Sequence, residues 1–131
     1  MFPVSALGIK GIFAFEFVVD YFDRSLDFYK NRLGFVETHR SSSDWESRFG
    51  SKGAYLRSNN ISILITTPVS SQGYTSEFLK ILSPGIRRVT FLVASLDQAT
   101  AYLKLHDATF IHPEKTVCTK DSSHRFVAIA T

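Results

Sequence analysis

One acidic residue, Glu16, lies within an otherwise apolar stretch of the sequence. Its neighbours Phe15 and Phe17 belong to an alternating pattern that is typical of a β-strand with one face in a core. A carboxylate on an inward face must be ion-paired, hydrogen-bonded or protonated. Arg88, in a second stretch of the same kind, is the candidate partner. Two roles follow for Glu16: a buried ion pair that fills the interior, or a polar anchor for a small ligand.

Few other residue types offer recognisable chemistry. Trp45, the single tryptophan, is a candidate for stacking on a ligand, and its alternative role is packing. The four histidines are His39, His106, His112 and His124. They are isolated in sequence, which favours surface or capping roles over a shared metal site. Cys118 is the single cysteine, so we expect an inert thiol. Phosphate-binding glycine loops and serine nucleophile motifs are absent from the sequence.

Two stretches of the chain share one pattern. Moving the sequence by 74 positions places Val89 on Phe15 and Phe91 on Phe17 without a gap. In each stretch an alternating strand leads into apolar residues three and four positions apart, which indicates an amphipathic helix, and then into a helix-ending signal. Strand period, helix period and helix end agree, which indicates two copies of one β-α-β-β-β module.

The elements that must position the candidate residues follow from local patterns. We predict helices at 22–33, 75–82 and Leu96–Leu105. We predict strands at 12–19, 35–39, 45–49, 54–57, 61–66, 88–93, 109–112, 116–119 and Phe126–Ala130. The side chains expected to pack between sheet and helix are Phe15, Phe17, Val19, Phe22, Leu26 and Tyr29 in the first module, and Val89, Phe91, Val93, Leu96 and Leu103 in the second.

Composition excludes several classes of protein. A length of 131 residues fits one domain, and 44% hydrophobic with 21% charged residues is ordinary for a globular protein. No apolar run approaches the roughly 20 residues of a membrane helix, and residues 1–10 lack the pattern of a secretion signal. The net charge of +3 is small and the basic residues are scattered. We therefore expect a cytoplasmic protein that binds neither nucleic acid nor a membrane.

The segment 19–35 carries a family resemblance. Its pattern V-x-x-F-D-R-S-L-D-F-Y-x-x-x-L-G-F resembles the first-module signature of the vicinal-oxygen-chelate superfamily, which includes glyoxalases, bleomycin-resistance proteins and extradiol dioxygenases. The resemblance implies an α+β fold in which two paired β-α-β-β-β modules form an open, cup-shaped sheet. Residues 1–131 would form one such domain, with module one at 11–67, a linker and short helix at 68–86, and module two at 87–131.

Within that superfamily, four short segments resemble one domain more closely. The segments at 7–11, 15–17, 60–66 and 84–93 are similar to the N-terminal domain of 4-hydroxyphenylpyruvate dioxygenase. That Fe(II)-dependent enzyme of tyrosine catabolism forms homogentisate, and its iron lies in a C-terminal domain. The resemblance implies a non-catalytic domain with a C-terminal catalytic partner. The alternative is a stand-alone protein of the glyoxalase/bleomycin-resistance type, dimeric, that binds a small aromatic ligand. A third reading is a metal-independent lyase or isomerase with Glu16 as base.

Metal-binding members of the superfamily take ligands from four positions. Carried over to this sequence, two of these fall on Ala14 and Arg88. The other two fall on the strands 61–66 and 126–131, which contain no His, Glu, Asp, Gln or Cys. A metal site needs about three side-chain donors of the imidazole or carboxylate kind. We therefore expect no metal and no cofactor in this chain, and Fe(II) only in a C-terminal partner domain.

Overall fold

A computed structural model describes residues 7–108 of the chain and the backbone of residues 126–130. The strands of this part are β1 (Ile9–Val18), β2 (Val36–Arg40), β3 (Ser51–Ser58), β4 (Ile61–Pro68), β5 (Gly85–Val93) and β6 (Phe126–Ala130). The helices are α1 (Phe22–Asp27), which continues as a π-helical turn (Phe28–Arg32), α2 (Ser43–Phe49), α3 (Tyr74–Ile81) and α4 (Leu96–Leu105). No helix in this part is long and apolar enough to cross a membrane.

One mixed sheet joins the six strands in the order β2-β3-β4-β1-β5-β6. β1 runs parallel to β4 and antiparallel to β5. Phe15 lies opposite Val89, and these are two residues that the offset of 74 positions superimposes. The two halves of the sheet therefore meet at equivalent places, and the predicted α+β class with an open sheet is confirmed. The predicted strands at 109–112 and 116–119 lie outside the described residues, as do His112, Cys118 and His124.

The face of the sheet that carries α1 holds an apolar cluster. Its buried members are Phe22, Leu26, Ala54, Leu56, Ile63 and Ile65. Phe15, Phe17, Val19 and Tyr29 pack against them, which confirms the packing predicted for the first module. Full burial of one such side chain contributes roughly 1.5–3 kcal/mol. Because side chains alternate along a strand, Phe15 and Phe17 of β1 point to the face that carries α1, and Glu16 points to the opposite face.

For the second module, the described residues confirm the helix and contradict the packing predicted for one residue. The helix α4 begins and ends at the predicted residues, and the side chain of Ser95 caps its first turn. Val93 and Ala99 are buried. Leu96, however, is 42% exposed, so its predicted packing is wrong. A helical side chain covers the turn that precedes its own Cα, and Leu96 opens the helix and has no such turn beneath it.

The segment predicted as a strand at 45–49 is the helix α2. The side-chain oxygen of Ser42 accepts a hydrogen bond from the backbone nitrogen of Trp45 at 3.2 Å, which caps the first turn. Gly50, at φ +64°, ends the helix in the left-handed conformation. Trp and Phe favour strands, but here the two end signals outweigh that preference.

Two glycines hold α2 against the start of α3. Gly50 and Gly73 both have positive φ, at +64° and +115°. A Cβ atom on Gly50 would collide with the backbone carbonyl of Gln72, and one on Gly73 would collide with the carbonyl of Phe49. The two backbones are therefore in direct contact. This contact fixes the position of Trp45, which α2 carries.

β2 is one of the two outer strands of the described sheet, and it is charged and irregular. Its register with β3 shifts between Glu37 and His39, which leaves Thr38 as an extra residue. Arg40 donates two hydrogen bonds to Glu37, at 2.9 and 2.7 Å, and Lys30 donates a third at 3.1 Å. This edge of the sheet therefore has an interrupted register and paired charges along its outer strand.

Candidate functional site

The carboxylate of Glu16 lies at the centre of a buried polar cluster. Arg87 donates from Nη1 to Oε1 of Glu16 at 3.2 Å, and Thr66 donates from Oγ1 to Oε2 at 2.9 Å. Glu16 and Arg87 are each 2% exposed. Both carboxylate oxygens therefore have a donor, as a buried charge requires.

Arg88, the partner expected for Glu16, is the outer member of the same cluster. Its Nε lies 3.4 Å from Oε1 of Glu16, and its side chain is 21% exposed. The Nε atom is buried and forms no hydrogen bond. The predicted ion pair is thus present, but the closer and more deeply buried partner is Arg87.

A β-bulge explains why Arg87 was not foreseen. In the pairing of β1 with β5, Glu16 lies opposite Arg88, and Phe17 lies opposite Ile86. Arg87 is the extra residue between these two pairs. Strict alternation would direct Arg87 and Arg88 to opposite faces, whereas a bulge allows both to face Glu16.

Tyr74, at the start of α3, closes the cluster from the side. The guanidinium carbon of Arg87 lies 4.2 Å from the centroid of its ring, a cation–π contact. Burial raises the pKa of Tyr74 far above its ordinary value, and the Glu16 carboxylate adds to that shift. Burial lowers the pKa of Arg87, which the Glu16 carboxylate opposes. Tyr74 is therefore a neutral phenol at physiological pH, and Arg87 remains a cation.

An open cleft of about 840 Å³ lies over this face of the sheet. Glu16, Arg88 and Trp45, the three residues singled out from the sequence, all line it. Its other aromatic and large apolar lining residues are Phe13, Tyr55, Leu56, Leu64 and Tyr74. The ring of Trp45 also packs against other rings, at 5.1 Å from Phe49 and 6.5 Å from Tyr74 between centroids. Trp45 therefore packs against other rings and also lines the cleft, and its stacking on a ligand stays a prediction.

One row of side chains crosses the floor of the cleft from strand to strand. Arg88 lies opposite Glu16, Glu16 opposite Leu64, Leu64 opposite Tyr55, and Tyr55 opposite His39. Directly paired residues point to the same face of a sheet. The row is therefore charged at β5 and β1, apolar at β4 and β3, and polar at β2.

His39 was expected to have only a surface or capping role, and it lines the cleft. Its ring packs edge-on against Tyr55, at 6.2 Å between centroids. The bulge at Thr38 sets which residue of β2 faces the cleft, and this bulge has no clear signal in the sequence. By contrast, His106 follows α4 directly and is exposed, in keeping with the capping role expected for it.

The described residues do not fit a divalent metal at the position used by metal-binding members of the superfamily. The two carried-over positions hold the methyl group of Ala14 and the guanidinium of Arg88. Within residues 7–108, no three His, Cys, Asp or Glu side chains lie close enough together to hold a metal ion. We therefore derive no chemical step through a metal in this cleft.

Comparisons with known proteins agree with this architecture. Residues 11–126 match the family model described as the Glyoxalase/Bleomycin resistance protein/Dioxygenase superfamily. Methylmalonyl-CoA epimerase from Mycobacterium tuberculosis is a similar solved structure, with 22% identity over 81% of this chain and 69% of that one, at a TM-score of 0.66. No curated protein sequence matches the chain.

Two further solved structures are similar to a comparable degree. A variant of Streptomyces coelicolor methylmalonyl-CoA epimerase, in complex with 2-nitronate-propionyl-CoA, has 16% identity over 80% of this chain and 75% of that one, at a TM-score of 0.67. A hypothetical protein from Bacillus halodurans C-125 has 19% identity over 79% and 72%, at 0.66. At these identities the similarity extends to the fold alone. From the described sheet and the family match over residues 11–126, the chain belongs to the Glyoxalase/Bleomycin resistance protein/Dioxygenase superfamily.

Proposed function

We propose that this chain is a metal-independent binding protein whose cleft holds a small organic anion with an aromatic body. The observation that carries the proposal is the charge of the cleft floor. Two guanidinium groups, those of Arg87 and Arg88, pair with one carboxylate, that of Glu16. The cluster is therefore left with a net positive charge, in a concave site where electrostatic attraction is strong.

Arg88 is the residue of this cluster that is placed to meet a ligand. Arg87 is 2% exposed and lies between Glu16 and the ring of Tyr74. Arg88 is 21% exposed and lines the cleft. A guanidinium binds a carboxylate by two parallel hydrogen bonds, which gives both energy and orientation. The aromatic lining residues supply the contact area for the remainder of the ligand.

Catalysis by Glu16 as a base has less support than binding. Among the described residues that line the cleft, Glu16 is the one carboxylate. Both its oxygens already accept hydrogen bonds, from Arg87 and Thr66, and it is 2% exposed. A general base must reach the proton that it removes. The geometry of Glu16 favours a positioning role, in which it holds the two arginines.

A second proposal is the non-catalytic N-terminal domain of an enzyme of the 4-hydroxyphenylpyruvate dioxygenase type, with iron in a C-terminal domain. The deep burial of the Glu16–Arg87 pair favours it, because a saturated pair is well suited to a purely structural role. Sequencing the gene beyond codon 131 tests this proposal. It predicts a second copy of the fold that carries two histidines and a glutamate as iron ligands, whereas the binding proposal predicts a homodimer in analytical ultracentrifugation.

The binding proposal is tested by comparing acids with their amides. Trp45 is the single tryptophan and lines the cleft, so its fluorescence reports occupancy directly. We expect 3-phenylpropionate to bind at least tenfold more tightly than 3-phenylpropionamide, which has the same shape without the charge. Arg88→Met should reduce the affinity for the acid to that for the amide, because the counter-charge is lost.

The matched control is Arg32→Met, which removes an exposed arginine that does not line the cleft and should leave the affinity for the acid unchanged. Elemental analysis should find no stoichiometric metal, and a chelator should leave binding unaltered. Equal affinities for acid and amide, or full affinity in Arg88→Met, would contradict the proposal.

A further inference from the structure

We infer that Arg57 is a second anion-binding residue of the cleft, and that the ligand is a dianion whose two anionic groups are held by Arg88 and Arg57. The inference rests on the proposed binding function and specifies the class of ligand. It follows from the charges that line the cleft, from the hydrogen bond that holds Arg57, and from the distance between the two arginines.

The arginines that line the cleft outnumber the carboxylates that could balance them. The four are Arg40, Arg57, Arg87 and Arg88. The last two share one carboxylate, that of Glu16, and Arg40 pairs with Glu37 at 2.7 Å. Within the part of the chain that the structure describes, no carboxylate forms a salt bridge with Arg57. Arg57 therefore adds a second unbalanced positive charge to the cleft, apart from that of the Glu16 cluster.

The turn that follows β3 holds the guanidinium of Arg57 in place. Its Nε donates to the backbone carbonyl of Asn59 at 2.7 Å. Asn59 has φ +53° and lies in the tight turn between β3 and β4. With Nε occupied, Nη1 and Nη2 remain, and together they can donate two parallel hydrogen bonds to one carboxylate. A guanidinium that is already held loses less conformational freedom on binding than a free one does.

The position of Arg57 in the sheet sets the separation of the two anionic groups. Arg57 follows Tyr55 by two positions on β3, so both side chains point to the cleft face. Glu16, which holds Arg88, lies two strands from β3 and level with Tyr55. Two strand spacings and two residues amount to about 12 Å between the Cα atoms of Glu16 and Arg57. Anionic groups on the order of 10 Å apart match this span.

The part of the cleft floor between the two arginines suits an uncharged ligand body. Leu64, Tyr55 and Ser62 lie there, all three line the cleft, and none of the three is charged. A ligand with its charges confined to its two ends is therefore complementary to the floor. A planar ring between the ends keeps the charges apart without a conformational cost on binding.

Four probes test the inference on the wild-type protein, with the fluorescence of Trp45 as the readout. They are 3-phenylpropionate and its 4-carboxy, 4-carbamoyl and 2-carboxy derivatives. At low ionic strength we expect the 4-carboxy compound to bind about fivefold more tightly than the 4-carbamoyl compound, the gain from one ion pair at an exposed guanidinium. The 2-carboxy compound carries the same total charge, but its carboxylates are too close together to reach both arginines. Its gain over 3-phenylpropionate should be less than twofold.

Two variants assign the gain to Arg57. In Arg57→Met the 4-carboxy and 4-carbamoyl compounds should bind equally well, because the second counter-charge is absent. In Arg32→Met, which removes an exposed arginine outside the cleft, the fivefold gain should remain. Salt gives an independent readout. Between about 10 mM and about 0.5 M salt the gain should fall below twofold, because an exposed pair is screened.

The outcomes separate this inference from the proposal beneath it. If 3-phenylpropionate binds in a manner that depends on Arg88, but the 4-carboxy group adds nothing or the 2-carboxy group adds as much, the inference is wrong and the anion-binding function stands. If the gain persists in Arg57→Met, another residue holds the second group and the inference is equally wrong. If Arg57→Met proves poorly folded, the comparison of 4-carboxy with 2-carboxy in the wild type decides. If none of the acids binds, the proposed function fails and the inference fails with it.

Discussion

The two faces of β1 are built on different principles, although their residues alternate in one strand. Phe15 and Phe17 face the cluster beneath α1, where many apolar side chains share the burial. Glu16 faces the cleft, where each of its oxygens has a specific donor. Apolar contacts are numerous and partly interchangeable. Removal of one member of a buried ion pair, by contrast, leaves an uncompensated charge in the interior. Chemical changes of equal size should therefore have unequal effects on the two faces.

The largest effect should come from Glu16→Gln, which keeps the shape of the side chain and removes its charge. Arg87 would remain a buried cation without a counter-charge, so we expect a loss of about 3–5 kcal/mol in the free energy of unfolding. Urea denaturation measures this loss. The double variant Glu16→Met/Arg87→Met should recover most of it, because neither charge then remains buried. A double variant as unstable as Glu16→Gln would show that the charge balance is not the cause.

A matched change on the apolar face should cost less. Ile65 is fully buried in the cluster beneath α1, and Ile65→Val removes one methylene group. We expect a loss of about 1 kcal/mol, the usual cost of this substitution in a core. The same urea titration gives the value. A loss as large as that of Glu16→Gln would remove the distinction between the two faces.

The smallest effect should be found at the exposed edge of the sheet. Hydrogen bonds from Arg40, with a further contribution from Lys30, lower the pKa of Glu37 from 4.5 to about 2. A lowered pKa in the folded state means that the stabilisation is present above pH 4.5 and is lost as the pH falls toward 2. Because these groups are partly exposed, the contribution should stay below about 1 kcal/mol. Wild type and Glu37→Gln should therefore differ slightly at pH 7 and converge near pH 2, and a difference that grows toward low pH would contradict this assignment.

The sequence predicts those strands and helices whose position is set by the spacing of their apolar residues alone. β1, α4 and β6 follow from alternation and from three- and four-residue spacing, and their predicted bounds agree with the structure or nearly so. The prediction failed at α2. There the local end signals of Ser42 and Gly50 override the strand preference of Trp45 and Phe49. Each of these helix-capping residues is a single position in the sequence. A prediction made from the spacing of apolar residues therefore does not detect them.

The candidate site was predictable in part, for a related reason. Glu16 was conspicuous because a carboxylate interrupts an apolar strand, and its expected contact with Arg88 is present. Arg87 and His39 were not foreseen. Both lie at β-bulges, and a bulge changes the face of every following residue by a shift of one. The register of paired strands, which sets these shifts, depends on residues distant in sequence.

The bulge at Thr38 has a consequence for how copies of this chain meet in solution. An outer strand presents unpaired backbone groups that invite another strand to join, which leads to aggregation. β2 carries the features with which natural sheets prevent this: an extra residue that interrupts regular pairing, and the charges of Glu37 and Arg40 along the strand. The irregularity that brings His39 to the cleft thus also protects the edge of the sheet. A variant that regularised β2 should therefore be less soluble than the wild type.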